Sequence, residues 1–200
     1  MTLARPYELL SMDKPQIPTA SDDEAIISQQ TMNWIRSFII EYNICPFARH
    51  VVEHGTLKLQ VSTVTDTTSA LEDLMLSVQQ LDSNTDIETS LLIFPNLFTD
   101  FMDYLDFVDL AETLLLEQDY EGIYQLATFH PDYCFAGVLG DDVSNFTNRS
   151  PYPMLHLLRE DSIEQAIEFH GKTEEIPQEN IATMHKLGLD KIKKILQAIR

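Results

Sequence analysis

Leu91-Leu92-Ile93-Phe94-Pro95 is the segment that most restricts how this chain can fold. Five residues without a polar side chain are too short for a buried helix and lack the alternation of a strand with one wet face. They predict a strand covered on both sides. Such a sheet needs helices above and below it. Residues 57–64 alternate as a strand should, with Leu57, Leu59 and Val61 on one side, and 123–129 and 154–158 read as two further strands. Helical spacing runs through Leu71, Leu74, Met75 and Val78 in 68–81, and through Phe101, Leu105, Val108, Ala111, Leu114 and Leu115 in 99–118.

The ends complete the pattern. Pro6, Pro15 and Pro18 lead to the expectation of an extended or mobile arm over residues 1–20. Ser21-Asp22-Asp23-Glu24 carries a helix-start signature, and the helix it opens is expected to run to about Ile44, stopping near Cys45-Pro46. A further helix is expected over 161–170. Residues 177–200 form a terminal amphipathic helix through Ile181, Met184, Leu187, Ile192 and Ile195, bent near Gly188. The expectation is an α/β fold: one domain over 21–200, with about four mixed strands covered by helices and the last two strands adjacent.

Charge narrows the function classes. A net charge of -19 and a pI near 4.4 argue against nucleic acid and against an anionic membrane, since both require basic patches. With no long apolar span and no signal-like N-terminus, a cytoplasmic protein is expected, and Cys45 and Cys134 are expected as thiols. The acids Asp100, Asp103, Asp106, Asp109 and Glu112 recur every three residues, a step that falls about sixty degrees short of a helical turn. They therefore spiral around the helix as a solvated surface and do not converge on one ion.

The candidate site lies between Gln125 and Glu160. His130 sits at a strand exit, stiffened by Pro131. His156 lies inside a strand, on one face with Met154 and Leu158; it is either functional or a core histidine bonded to a neighbour such as Gln125. From Leu59 to Asn148 there are seventeen Asp and Glu but no Lys or Arg, so Arg149, between Asn148 and Ser150, is a scarce cation. It is a candidate anion clamp, with a salt bridge to a local acid as the alternative; Arg159 reads as such a pair with Glu160 or Asp161. Cys45, just past a helix C-terminus, feels the negative end of the helix dipole, which disfavours its thiolate unless Arg49 or His50 lies close. His50 and His54, four apart, are a two-ligand metal spacing only.

These residues carry a resemblance. Cys45-Pro46-Phe47-Ala48, Gln125 with Phe129-His130-Pro131-Asp132-Tyr133, and Asn148-Arg149-Ser150-Pro151-Tyr152-Pro153 with His156-Leu157-Leu158-Arg159-Glu160 are similar to the motifs of a mainly bacterial family of uncharacterised proteins, domain of unknown function 1415. With Asn180 and Leu187-Gly188, the likeness spans roughly residues 31–188. It implies that Cys45, His130, Tyr133, Asn148, Arg149, His156 and Arg159 act as one constellation, and it implies no particular cofactor.

The leading expectation is an enzyme for a small anionic metabolite. Arg149 and Asn148, with Gln125 and Arg159, would bind the substrate; His130 would exchange protons, assisted by His156 or Tyr133, with Cys45 as a candidate nucleophile. The alternatives are a non-catalytic module that binds an anion or a partner, and a metal protein using His130 and His156. Phosphate-binding glycine loops and a Gly-x-Ser-x-Gly elbow do not occur in the sequence.

Overall fold

The computed structural model describes residues 20–171 and 173–199. The arm expected over 1–20 lies outside the described residues apart from Ala20, as do the side chains of Ser21 and Asp22 on which the expected helix cap depends.

Four strands form one mixed sheet: β1 (Leu57–Val61), β2 (Thr89–Ile93), β3 (Tyr124–Phe129) and β4 (Met154–Arg159), in spatial order β1-β2-β4-β3. The β1–β2 pair is parallel, and β4 runs antiparallel to both of its neighbours. Every residue of β2 is buried, as its apolar run requires. The expected adjacency of the last two strands holds, with Ala127 opposite His156 and Gln125 opposite Leu158.

Period-two alternation divides the sheet between two cores. On one face Leu92, Leu155 and Leu157 pack against α3 (Thr67–Ser83) and α4 (Phe101–Glu117). On the other, Leu91, Ile93 and Met154 pack beneath α1 (Ala20–Trp34), α6 (Ile176–Leu187) and α7 (Leu189–Ile199). Asp103, Asp106, Asp109 and Glu112 are exposed, while Asp100 caps α4 by accepting from the N–H groups of Met102 and Asp103 at 2.8 and 3.2 Å. The C-terminal helical region is interrupted at Gly188, whose φ of +73° suits glycine. Among the described residues no helix is long and apolar enough to cross a membrane.

The first helix departs from expectation. Past Trp34 its hydrogen bonding widens into a π-helical stretch, Ile35–Ile40, and the chain reverses through Asn43 at φ 51°, so helical structure ends before the expected Ile44. The reversal delivers Cys45 to the sheet and starts the short α2 (Ala48–Glu53). β4 passes into α5 (Glu160–His170) without an intervening loop.

Candidate functional site

Over the α1 face, the sheet floor and surrounding segments enclose a cavity of about 370 Å³. Its floor is the run of side chains that alternation aims at this face: Leu57, Thr89, Leu91, Gln125, Ala127, Phe129, His156 and Leu158. The walls come from Trp34, Ile35 and Ile39, from Cys45, Phe47, Ala48 and Val51, from Ser162, Ile163 and Ala166 on α5, and from Thr147 and Asn148. Asn180 ties α6 to the Cys45 turn by donating to the Ile44 carbonyl at 2.8 Å. The lining is mainly aliphatic and aromatic with a few polar groups, as small-molecule sites usually are.

His156 is the chemically most defined group on the floor. Thr89 Oγ1 donates its single proton to the Leu157 carbonyl at 2.6 Å and lies 2.7 Å from His156 Nε2. A hydroxyl that has spent its proton can only accept, so Nε2 carries the hydrogen and Nδ1 is left with a lone pair. Nδ1 has no partner among the described residues. Burial without a compensating acid pushes the imidazole down to about 4, so it is neutral at pH 7. In the core reading of His156, a neighbour such as Gln125 was the expected partner. Thr89 takes that place, and Gln125 sits one pair along on β3, exposed toward the cavity.

Cys45 also lines the cavity. Burial pushes its thiol up, and N–H groups of Phe47 and Ala48 directed at the sulfur oppose this only in part. The cations expected to help lie elsewhere: Arg49 pairs with Glu53 at 3.6 Å, and His50 stacks on His54 with ring centroids 4.1 Å apart and faces Glu88. The resting group is a thiol.

The remaining candidates do not join this cavity or reach it with their polar ends committed. His130 is fully buried. Its Nδ1 accepts from the Asp132 N–H at 3.0 Å, which places the hydrogen on Nε2, and Nε2 donates to the Phe98 carbonyl at 2.8 Å. Phe98 holds a φ of 60°, unusual for a bulky side chain, so His130 clamps a strained turn ahead of α4. Burial lowers its pKa, opposed by the bond to Phe98 and by Asp132 and Asp100. Arg149 forms no salt bridge to a local acid: Nε donates to the Tyr133 carbonyl at 3.0 Å, Nη2 to the Gly140 carbonyl at 2.8 Å, and the guanidinium covers the Phe146 ring at 4.5 Å. Tyr133 packs between Phe101 and Phe135, with its hydroxyl 3.4 Å from Thr128 Oγ1.

The expected convergence of His130 and Arg149 with His156 is therefore corrected. Main-chain carbonyls and amides, abundant where a loop folds on itself, take up both side chains. The same commitment removes His130 as a metal ligand beside His156, and no cluster of three metal-binding side chains occurs among the described residues. Asn148 does line the cavity, but its amide is used: Nδ2 donates to the Thr128 carbonyl at 3.0 Å and Oδ1 accepts from Thr147 Oγ1 at 3.2 Å. Arg159 pairs with neither Glu160 nor Asp161. Arg159 borders the cavity, but its guanidinium is committed: it donates to the carbonyls of Leu81 and Ile87 and, at 3.0 Å, to the Tyr124 hydroxyl.

Sequence reasoning missed Thr89 and the cavity-lining part of Trp34. A threonine opening a doubly buried strand was a usable signal, because a buried hydroxyl requires a partner. Trp34 is 2% exposed and lines the cavity, and its indole N–H has no acceptor among the described residues. The family model described as Protein of unknown function (DUF1415) matches residues 26–194, which include every cavity-lining residue. Comparison with curated proteins and with solved structures gives no match.

Proposed function

We propose that this chain, which belongs to the family of proteins of unknown function DUF1415, binds a small metabolite in the sheet-face cavity and acts on it with His156 as the proton-accepting group. One observation carries this: an imidazole on the cavity floor, fixed in one tautomer by Thr89, whose free lone pair has no protein partner. A positioned base with a set tautomer, oriented by a third group, is the usual form of a general base. Cys45 and Gln125 share the same cavity, as a neutral thiol and an uncommitted amide. The anion clamp expected of Arg149 is not carried over, because that guanidinium is spent on Tyr133, Gly140 and Phe146.

A metabolite collection screened by thermal shift tests the binding half, with Ala127→Phe as the control that fills the floor. Compounds that stabilise the wild type and not that variant occupy the cavity. Conversion of such a compound by the wild type, lost in His156→Gln with binding retained, supports catalysis. Binding without conversion in either protein favours the second reading, a non-catalytic ligand module, to which the protonated thiol of Cys45 also lends support.

A further inference from the structure

We infer that the outer face of the C-terminal helical region, centred on Lys191 and Lys194, docks a short acidic segment of a partner protein. This face shares no lining residue with the cavity and does not depend on the cavity binding a metabolite. Charge is segregated along the chain. Residues 186–200 hold Lys186, Lys191, Lys193, Lys194 and Arg200, five of the 13 Lys and Arg, but Asp190 is their single acid out of 32. Such asymmetry marks an interaction surface when the cations stand clear of acids. Here they do. Lys186 on α6 and Lys191, Lys193 and Lys194 on α7 are all exposed, and none forms a salt bridge with an acid among the described residues. Neighbouring ammonium groups without counter-charges repel one another, and a partner that brings carboxylates relieves this. Lys191 and Lys194 line one open hollow at the junction of α6 and α7, together with Leu187, Gly188, Leu189 and Asp190. The Lys191 ammonium lies 5.7 Å from the centroid of the Tyr42 ring, a cation–π contact that restrains it before any partner arrives.

Three observations favour a peptide over other anions. A basic amphipathic helix suits an anionic membrane when its apolar face is free to insert. On α7 that face is occupied: Ile192 and Ile199 are buried in the core beneath the sheet, with Ile195 and Leu196 packed against it. The net charge of -19 works against a nucleic acid, which is long enough to lie over the acidic surface beyond the patch as well. A segment of a few residues feels mainly the lysines, because salt screens charges beyond about 8 Å. The same net charge opposes a second copy of this chain. Finally, Leu187 and Leu189 are half-buried in the hollow beside the two lysines, so they accept an apolar side chain flanked by carboxylates but give a phosphodiester nothing to bond.

The test titrates the full chain into a fluorescein-labelled octapeptide of glutamates interrupted by two leucines, followed by anisotropy. The comparison probes are the same peptide with glutamine for glutamate, an oligothymidylate of equal length, and phosphatidylserine vesicles. The acidic peptide is expected to bind most tightly, and to weaken at least tenfold between about 20 mM and about 300 mM salt. The double variant Lys191→Ala, Lys194→Ala should lose about fivefold in affinity, the effect of two surface ion pairs, with its urea midpoint unchanged. Arg49→Ala, an exposed cation outside the patch, should bind as the wild type does. Undiminished binding by the double variant would overturn the assignment to this face, and equal affinity for the glutamate and glutamine peptides would overturn the acidic occupant. Tightest binding of the oligothymidylate or the vesicles would overturn the choice of a peptide. Self-association in sedimentation of the protein alone, abolished in the double variant, would overturn it in favour of a second copy. Absence of binding by the acidic peptide at either salt concentration would defeat the inference outright.

Discussion

Acidification from pH 7.5 to 4.5 should destabilise the native protein through His156, and His156→Gln should remove that component. Burial holds the native imidazole down to about 4, whereas in the unfolded chain it returns to its ordinary 6.5. Between those values the unfolded chain binds a proton that the native state refuses. Stability is therefore complete above pH 6.5 and declines as pH falls toward 4. The gap of about 2.5 pH units, at about 1.4 kcal/mol each, sets a ceiling of about 3.5 kcal/mol. At pH 4.5 most of this is lost, and solvent entering the cavity trims the expected effect to about 2 kcal/mol. Gln at this position keeps a donor for Thr89 Oγ1 but does not titrate. Other groups respond to acid in both proteins: His130 in the same direction, and Asp66 and Asp142, held low by hydrogen bonds from Ser69 and Ser144. The diagnostic quantity is thus the difference between the two profiles, from urea unfolding followed by Trp34 fluorescence at a series of pH values. Profiles that fall in parallel to within about 0.5 kcal/mol, or an NMR titration of His156 centred near 6.5, would refute the reasoning.

Three further outcomes follow from the packing. Tyr104→Phe removes a buried hydroxyl that donates to the Met154 carbonyl at 2.7 Å and accepts from the Phe129 N–H at 3.2 Å; the loss should be about 2–4 kcal/mol in urea unfolding, with m unchanged. Arg149→Lys forfeits the fork spanning Tyr133 and Gly140, so it should lower stability by about 1–2 kcal/mol in urea unfolding; unchanged stability would contradict the structural role. Alkylation of Cys45 by iodoacetamide, in a Cys134→Ser background, should remain slow at pH 7 and reach half its plateau only above pH 9, because burial raises this thiol; a plateau already reached at pH 7 contradicts that.

How much of the fold the sequence discloses depends on whether the signal is local. Leu91-Leu92-Ile93-Phe94 announces a doubly buried strand because hydrophobicity on both faces is a property of that segment alone, and β2 is the strand enclosed by β1 and β4. Helix positions follow from 3.6-residue spacing for the same reason. Strand order does not. β4 inserts between β2 and β3, and nothing within Met154–Arg159 specifies which neighbours it will have. The early end of the first helix was hidden likewise, because the π-helical widening and the left-handed Asn43 answer to packing of Ile35, Phe38 and Ile39 against the sheet.

The same distinction explains why the candidate site was half legible. His156 was assigned to the correct face by alternation, and Gln125 followed once β3 and β4 paired. His130 and Arg149 drew attention because histidine and a scarce arginine at strand ends are typical of reactive loops. Composition cannot distinguish an arginine awaiting a ligand from one surrounded by carbonyls. Here the region from His130 to Ser150 closes on itself: the His130 N–H donates to the Asn148 carbonyl, Ser150 N–H to the His130 carbonyl, Asn148 Nδ2 to Thr128, and Asn145 holds Phe135 and Leu139. These bonds fix Thr147 and Asn148 in the cavity wall and seat the end of β3 that carries Phe129. The polar motif is thus a buckle that shapes the cavity from outside, while the cavity lining itself comes from side chains on alternate strand positions and from Trp34. A substitution in the buckle should register first as lost stability, and one on the floor should register first as lost binding.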